Sequence, residues 1–590
     1  MQSVAKKLPN LSETSAAYYE RMSYVLSYPE NVELTNREDL VQNFIQQVTS
    51  DNLVTVSLNM NASKVLESFI TGWCMQDNML TLLTDINREN IQLLAIHKNG
   101  SHVLQSILTK ISKFIYKMPA LELSNLLEFF GTEFAPCCIE HCIELAFDSY
   151  GTYILRVLLQ IVCGVLQSSV NDKDYTGAVR KPEYQLLTAP REFSHLPEMI
   201  LKQFKDYPHI VETVTDTYAS PAIICLVEIF SLSHSELSRK LNQYLIKCIS
   251  PFDQLIDHEK GSYLIQSLIS TANERQYARL FTQFPKGSIY KYATCNHANY
   301  AIQTLIANIH TEEHFNYILQ ELSSKQIEAI LGVGNFGVLH QIIKSGIEYP
   351  GQQKLIKSIL LETFQCQDNP ISLIPLLLLM SPLNNVLDSM VEERIIFKQE
   401  DNFHLHGSLI AQNLFSFEKT KSFAKSLLYS SIDGILKIAS DPNGCHVLDK
   451  FVSSEKVKGK YKNKLYVMLE ERFVDFVCCK YGSRVFDCIW IELDYEWKER
   501  FMIDISQKES ILKSDFYGKF VLRNCKLDLY KRKRIEWRDS VQDTMKHRFE
   551  EQNPSAKRGK SESEHYSKKR KVNNNTNKIT DIDVLFNKLN

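Results

Sequence analysis

The sequence predicts an all-α solenoid, and three observations carry that prediction. First, a ten-residue motif recurs down the chain: NGSHVLQSIL at 99–108, KGSYLIQSLI at 260–269, HANYAIQTLI at 297–306, NGCHVLDKFV at 443–452, YGSRVFDCIW at 481–490 and YGKFVLRNCK at 517–526. Second, its spacing is nearly constant, which is the signature of stacked structural repeats. Third, its apolar residues follow helical periodicity, as at Val103, Leu104, Ile107 and Leu108 (i, i+1, i+4, i+5).

The copies align on the residue after the small one: Ser63, Ser101, Thr152, Ser220, Ser262, Asn299, Phe336, Ser408, Cys445, Ser483 and Lys519. The steps are 38, 51, 68, 42, 37, 37, 72, 37, 38 and 36 residues. The 68-residue step contains SSVNDKDYTGAVRKPEYQ from Ser168, whose polar composition reads as a loop insertion near 165–195. The 72-residue step is twice 36 and has Ser372 at its midpoint, so eleven copies are expected and a decayed twelfth has room there.

Each motif follows a short Gly- or Asn-containing turn, such as Lys98-Asn99-Gly100, and before it another apolar-periodic segment, such as Arg88 to Ile96. The expected unit is helix, turn, helix. One such pair cannot bury its apolar side alone, so neighbours must stack. Within the motif, Ser101, His102 and Gln105 (i, i+1, i+4) are expected to share the opposite, open face. Stacking would align such faces along one concave surface.

These residues resemble the Pumilio (PUF) RNA-binding repeat over roughly residues 50 to 530. In that family two adjacent residues of the second helix and a third, four after the first, meet one base. The first and third touch its edge and the second stacks. Asn299-Tyr300-x-x-Gln303 matches the uracil-type triplet, Ser262-Tyr263-x-x-Gln266 is close to it, and Thr152-Tyr153-x-x-Arg156 resembles the cytosine type. The resemblance also implies RNA contacts for Ser63, Lys64, Glu67, Ser101, His102, Gln105, Ser408, Gln412, Cys445, His446, Asp449, Ser483, Arg484, Asp487, Lys519, Phe520 and Arg523. Ser220-Pro221-x-x-Ile224 and Phe336-Gly337-x-x-His340 fit no triplet, and Ser408-Leu409-x-x-Gln412 lacks a stacking ring. The implied fold is a right-handed α-solenoid of about eleven Pumilio-like repeats forming an arc or horseshoe.

The extra, interrupted repeats and a basic C-terminus are similar to the nucleolar branch of that family. This implies binding to precursor ribosomal RNA, small-subunit (18S) maturation alongside pre-ribosomal particle proteins, and a monomer in the nucleus and nucleolus. Two other readings stand beside it, an α-solenoid scaffold for proteins and a cytoplasmic PUF-type regulator of mRNA. The chemistry suits RNA, because rings stack on the faces of unpaired bases while Asn, Ser and Gln pair with their edges.

The expected layout is an N-terminal tail over 1–20, the array over 21–535 and a basic, mostly disordered tail over 536–590. The net charge of −2 hides an asymmetry: from Lys526 to Lys571 there are fifteen Lys and Arg against eight Asp and Glu. Lys568, Lys569, Arg570 and Lys571 resemble a nuclear import signal, and basic clusters of this kind also bind RNA without specificity. The end, from Ile579 to Phe586, has the apolar spacing of a short docking helix.

Neither a secretory signal nor a membrane span is expected, since the longest apolar run is Leu373 to Met380. The scattered cysteines suit a reducing compartment. Cys137, Cys138, His141 and Cys142 are the best metal candidate, but adjacent ligands without a distant second pair favour helix packing over zinc. Asp257-His258-Glu259 precedes a repeat turn and reads as a helix start rather than an acid–base site. No phosphate-binding glycine loop or nucleophile motif is present. Neither enzymatic activity nor a cofactor or metal is expected.

Overall fold

The computed structural model describes residues 11–27, 37–86, 88–167, 184–391 and 394–542. The chain divides into two compact units, Met1–Ser430 with Glu455–Val457, and Ser431–Ser454 with Lys458–Asn590. Both are helical.

The motif helices, together with the N-terminal helix that packs on the first of them, are labelled α1–α12 in chain order. The first unit holds α1 (Glu13–Ser27), α2 (Met60–Gly72), α3 (Lys98–Ile115), α4 (Gly151–Cys163), α5 (Ala219–Ser233), α6 (Gly261–Thr271), α7 (Ala298–Ala307), α8 (Phe336–Ser345) and α9 (Leu405–Leu414). The second holds α10 (Cys445–Ser453), α11 (Lys480–Glu492) and α12 (Gly518–Asn524). Within each unit every motif helix packs on the next. The apolar positions explain why: in α3, Val103, Leu104, Ile107, Leu108 and Ile111 are all buried.

The repeat has three helices rather than the expected two. Before α7 come Glu274–Phe281 and then the short Ser288–Ala293; before α8 come Glu312–Glu321 and Ser324–Gly332. In most repeats the segment before the third helix meets it so closely that the residue preceding the triplet is small; α8, with Asn335 there, is the exception. A Cβ on Gly261 would stand 2.6 Å from the Leu255 carbonyl oxygen, and one on Gly100 would stand 2.9 Å from that of Leu94. A polar side chain three residues before the small one starts the third helix by accepting its first free N–H groups. His97 Nδ1 accepts from Asn99 and Gly100, Asp148 from Tyr150 and Gly151, and Asp441 from Asn443 and Gly444. His258 does the same for Lys260 and Gly261, while Asp257 accepts from His297 and Ala298 of the next repeat. The Asp257-His258-Glu259 run therefore caps helices.

The long steps have different causes. In the 68-residue step α4 and α5 still pack directly, and the insertion opens with β1 (Val165–Gln167) paired antiparallel to β2 (Tyr184–Leu186). Gly164 turns the chain out of α4 with φ +67°, and its carbonyl accepts from Leu187 N. In the 72-residue step α8 packs directly on α9, so no repeat lies at Ser372. Leu373–Leu379 is instead the second helix of the α9 repeat, and a Cβ on Gly407 would run into its Leu377 carbonyl. The extra length is a loop between second and third helices that carries β3 (Met390–Val391) and β4 (Arg394–Ile395).

Both predicted ends need correction. Residues 1–20 are not all tail: α1 begins at Glu13, Tyr19 is buried, and Ser15 and Tyr19 donate to Asp51 at 2.7 and 3.2 Å. At the other end, 534–542 is helical and Trp537 is fully buried, its indole N–H donating to the Cys525 carbonyl at 3.0 Å. The folded body thus passes 535. Lys568–Lys571, the Ile579–Phe586 segment and most of the predicted insertion lie outside the described residues. Among the described residues no helix is long and apolar enough to cross a membrane.

Candidate nucleic-acid interface

The triplet positions fall into a regular pattern of exposure along the third helices. The first residue is buried, the second exposed, the next two buried and the last half-covered, as at Ser262, Tyr263, Leu264, Ile265 and Gln266. The second position stands clear of both neighbouring helices. Tyr153, Tyr263 and Tyr300 are 53, 56 and 55% exposed, which leaves ring faces open. Lys64, His102, His446 and Arg484 occupy the same position and are also exposed.

The first position is covered in the free chain. Ser63, Ser101, Thr152, Ser262, Asn299, Ser408, Cys445 and Ser483, expected beside a base edge, are all buried. They lie at the seam where adjacent third helices meet, and their polar groups are used locally. Ser63, Ser101, Ser262 and Ser483 donate to the carbonyl three residues back. Thr152 donates to Tyr218 O across the seam at 2.9 Å, and Asn299 to Cys295 O and Asn296 O. Burial pushes the Cys445 thiol up to about 12. Lys519 departs from the pattern and is exposed, with Phe520 half-buried behind it.

Apart from the exposed Arg523, third-position groups sit between these extremes. Gln303 Nε2 donates to Asn299 Oδ1 at 2.9 Å and Gln412 Nε2 to Ser408 Oγ at 3.0 Å, so first and third residues are linked. The Arg156 guanidinium lies 4.5 Å over the Tyr153 ring and that of Arg523 lies 5.1 Å over Phe520. Gln105 is half-buried. Burial raises the Glu67 carboxyl above its usual range, opposed by His102 and Lys64. Asp449 lies 3.5 Å from His446, and Asp487, also raised by burial, accepts twice from Asn524 Nδ2.

Two repeats are closed to a base in the expected manner. Beside Pro221, Ser220 Oγ is buried with no hydrogen-bond partner. At Gly337 the missing side chain makes room for the Gln303 amide, whose oxygen would lie 2.5 Å from a Cβ there. Phe336 packs 4.3 Å from His404 and 5.9 Å from His406, and His340 lies 6.2 Å from His406. Burial lowers all three imidazoles, His340 to about 4, with His406 and Lys344 adding to its shift. The folded state holds them neutral while the unfolded chain takes up protons near 6.5, so the stability they contribute is present above about pH 6.5 and lost towards pH 4. Thermal melts between about pH 7 and 4.5 should show a steeper fall for the parent than for His340→Leu. Parallel curves would contradict it.

Sequence reasoning missed a groove of about 740 Å³ over α3–α7, whose wall includes Tyr153, Arg156, Tyr184, Glu228 and Gln266. Tyr184 comes from β2, and nothing in a polar loop signals that its last aromatic residue returns to the motif face. Cys137, Cys138 and Cys142 are buried in helix packing, and among the described residues no cluster of three or more metal-ligating side chains occurs.

Three-helix repeats stacked through their third helices, most of them exposing one residue between buried neighbours, define a solenoid of the Pumilio class. The chain belongs to the family described as the NOP9-like PUF repeat domain, whose model matches residues 54–520. Its relatives include Nucleolar protein 9 of Mus musculus, 23% identical over 586 residues and covering 92% of this chain and 90% of that protein. Nucleolar protein 9 of Homo sapiens is 23% identical over 576 residues, with 90% and 88% covered. Among solved structures, "Structure of APUM23-deletion-of-insert-region-GGAAUUGACGG" superposes with a TM-score of 0.70 at 18% identity, covering 90% of this chain and 99% of that one, a likeness of fold.

Proposed function

We propose that this protein binds unpaired or partly structured precursor ribosomal RNA in the nucleolus and assists small-subunit (18S) maturation by occupying that RNA. The observation that carries the reading is the row of open rings at Tyr153, Tyr263 and Tyr300, held at repeat spacing on helices that pack on one another or on α5 between them. A ring on each base is worth ~1–3 kcal/mol and tolerates any sequence, so affinity accumulates by repetition. The family membership and the relatives named Nucleolar protein 9 support the compartment and the RNA class. The similar fold of APUM23, whose structure carries GGAAUUGACGG in its description, supports an RNA partner. The mechanism is occupancy: RNA held in a fixed path is shielded until it is released.

Ultraviolet crosslinking in cells, followed by sequencing of the bound RNA, tests this directly. Reads should concentrate on the precursor of the small-subunit RNA. A spread over mRNAs would favour the cytoplasmic regulator, and an absence of crosslinked RNA would favour the protein scaffold.

A further inference from the structure

We propose that the groove beside the insertion takes a single unpaired nucleobase, displaced from the row of triplet rings, with the phenol of Tyr184 against its face. The proposal rests on the RNA-binding reading above and adds a site to it. The groove's volume of about 740 Å³ is within the range of small-ligand sites. It is continuous with the triplet row, because Tyr153 and Tyr263 form part of its wall.

Three features make it a base site rather than a gap. It lies at the one repeat of this stretch whose triplet, Ser220-Pro221-x-x-Ile224, has no ring at its second position and no polar group at its third, and all three residues line it. Tyr184 supplies a ring there from outside the array. It is pinned by the β1–β2 pair, in register with Gln167, and β1 leaves α4 through the left-handed turn at Gly164, so little ordering cost remains for binding.

The polar groups then decide between base and phosphate. Gln266 lines this wall and its Nε2 has no hydrogen-bond partner; covered in the free chain, it becomes a donor to a base carbonyl or ring nitrogen once the amide turns into the groove. Glu228, which accepts from Ser267 Oγ at 3.3 Å, places a carboxylate in the same groove. A carboxylate repels phosphate and accepts from the amino and imino groups of a base edge. Arg156 lies alongside and offsets its charge, and Lys260, also on the wall, is held by Glu259 at 2.8 Å.

The test uses the full chain and a fluorescein-labelled, randomised single-stranded RNA pool of about 16 nucleotides, read by anisotropy. Tyr184→Ala should weaken binding by about five-fold or more, and Tyr184→Phe should keep parental affinity, since stacking needs only the ring. Tyr300→Ala serves as the reference. Parental affinity in Tyr184→Ala while Tyr300→Ala is weakened would overturn the groove site and leave the RNA reading standing. Parental affinity in both would remove the RNA reading and this site with it. Should Tyr184→Ala melt early, the wild-type protein is irradiated with 4-thiouridine-containing RNA and digested. A crosslink on the peptide bearing Tyr184 supports the site, and its absence from an otherwise crosslinked array overturns it.

Discussion

Replacing Tyr153, Tyr263 and Tyr300 together by alanine should lower affinity for single-stranded RNA by at least about 100-fold. Each ring contributes ~1–3 kcal/mol by stacking on a base. The three do not add fully, because α6 and α7 are neighbours and one RNA strand links all three sites. The middle of the range, summed, gives roughly a ten-thousand-fold loss, so about a hundred-fold survives incomplete additivity. Each of the three residues is more than half exposed, so little core is removed and the helical spectrum and melting temperature should stay close to the parent's. The Arg156 guanidinium, no longer over the Tyr153 ring, remains free to meet phosphate and will leave a salt-sensitive remnant of binding. Affinity within about three-fold of the parent, in a protein that melts normally, would transfer this face from RNA to a protein partner.

Gly407→Val should destabilise the fold severely, costing at least about 3 kcal/mol. The added Cβ would overlap the Leu377 carbonyl oxygen, a backbone atom of a helix whose Leu373–Leu378 stretch is buried throughout. Neither side can yield without moving the crossing of second and third helices. Gly459 gives the opposite sign. It stands at a helix start with nothing within 4 Å of its missing Cβ, so Gly459→Ala should be neutral or gain about 0.5–1 kcal/mol. Paired thermal and urea melts of the two variants measure the contrast. A Gly407→Val protein within about 1 kcal/mol of the parent would mean that the helices do not cross so tightly.

Periodicity made the third helices legible from sequence because each repeats the same buried positions at nearly the same interval. The protrusion of Tyr153, Tyr263 and Tyr300 was legible for the same reason, each standing between buried neighbours. The three-helix unit was not. The pre-motif segment read from sequence, Arg88 to Ile96, is the second helix of its repeat, and the first, Gln76–Thr84, went unread; other second helices, such as Ser288–Ala293 and Phe473–Val477, are too brief to display a helical period. The burial of the first triplet residue was also hidden. A serine reads as open surface, yet here its hydroxyl closes on a carbonyl within its own turn, which lets it pass into a seam at small cost. The termini failed because what fixes them is distant in sequence: Asp51 for Tyr19, and the Cys525 carbonyl for Trp537. Tyr184 depends on the β1–β2 pairing, which a short polar stretch does not announce.

The seam residues have a further consequence. Neighbouring third helices are set apart by what lies between them, by Ser262 and Asn299 and the leucines and isoleucines beneath, at the ~8–10 Å usual for packed helices. That distance is the pitch of a ruler whose marks are the tyrosines. A bulkier residue hidden at Ser262 would touch no ligand, yet it would stretch one interval of the ruler and put every mark beyond it out of step.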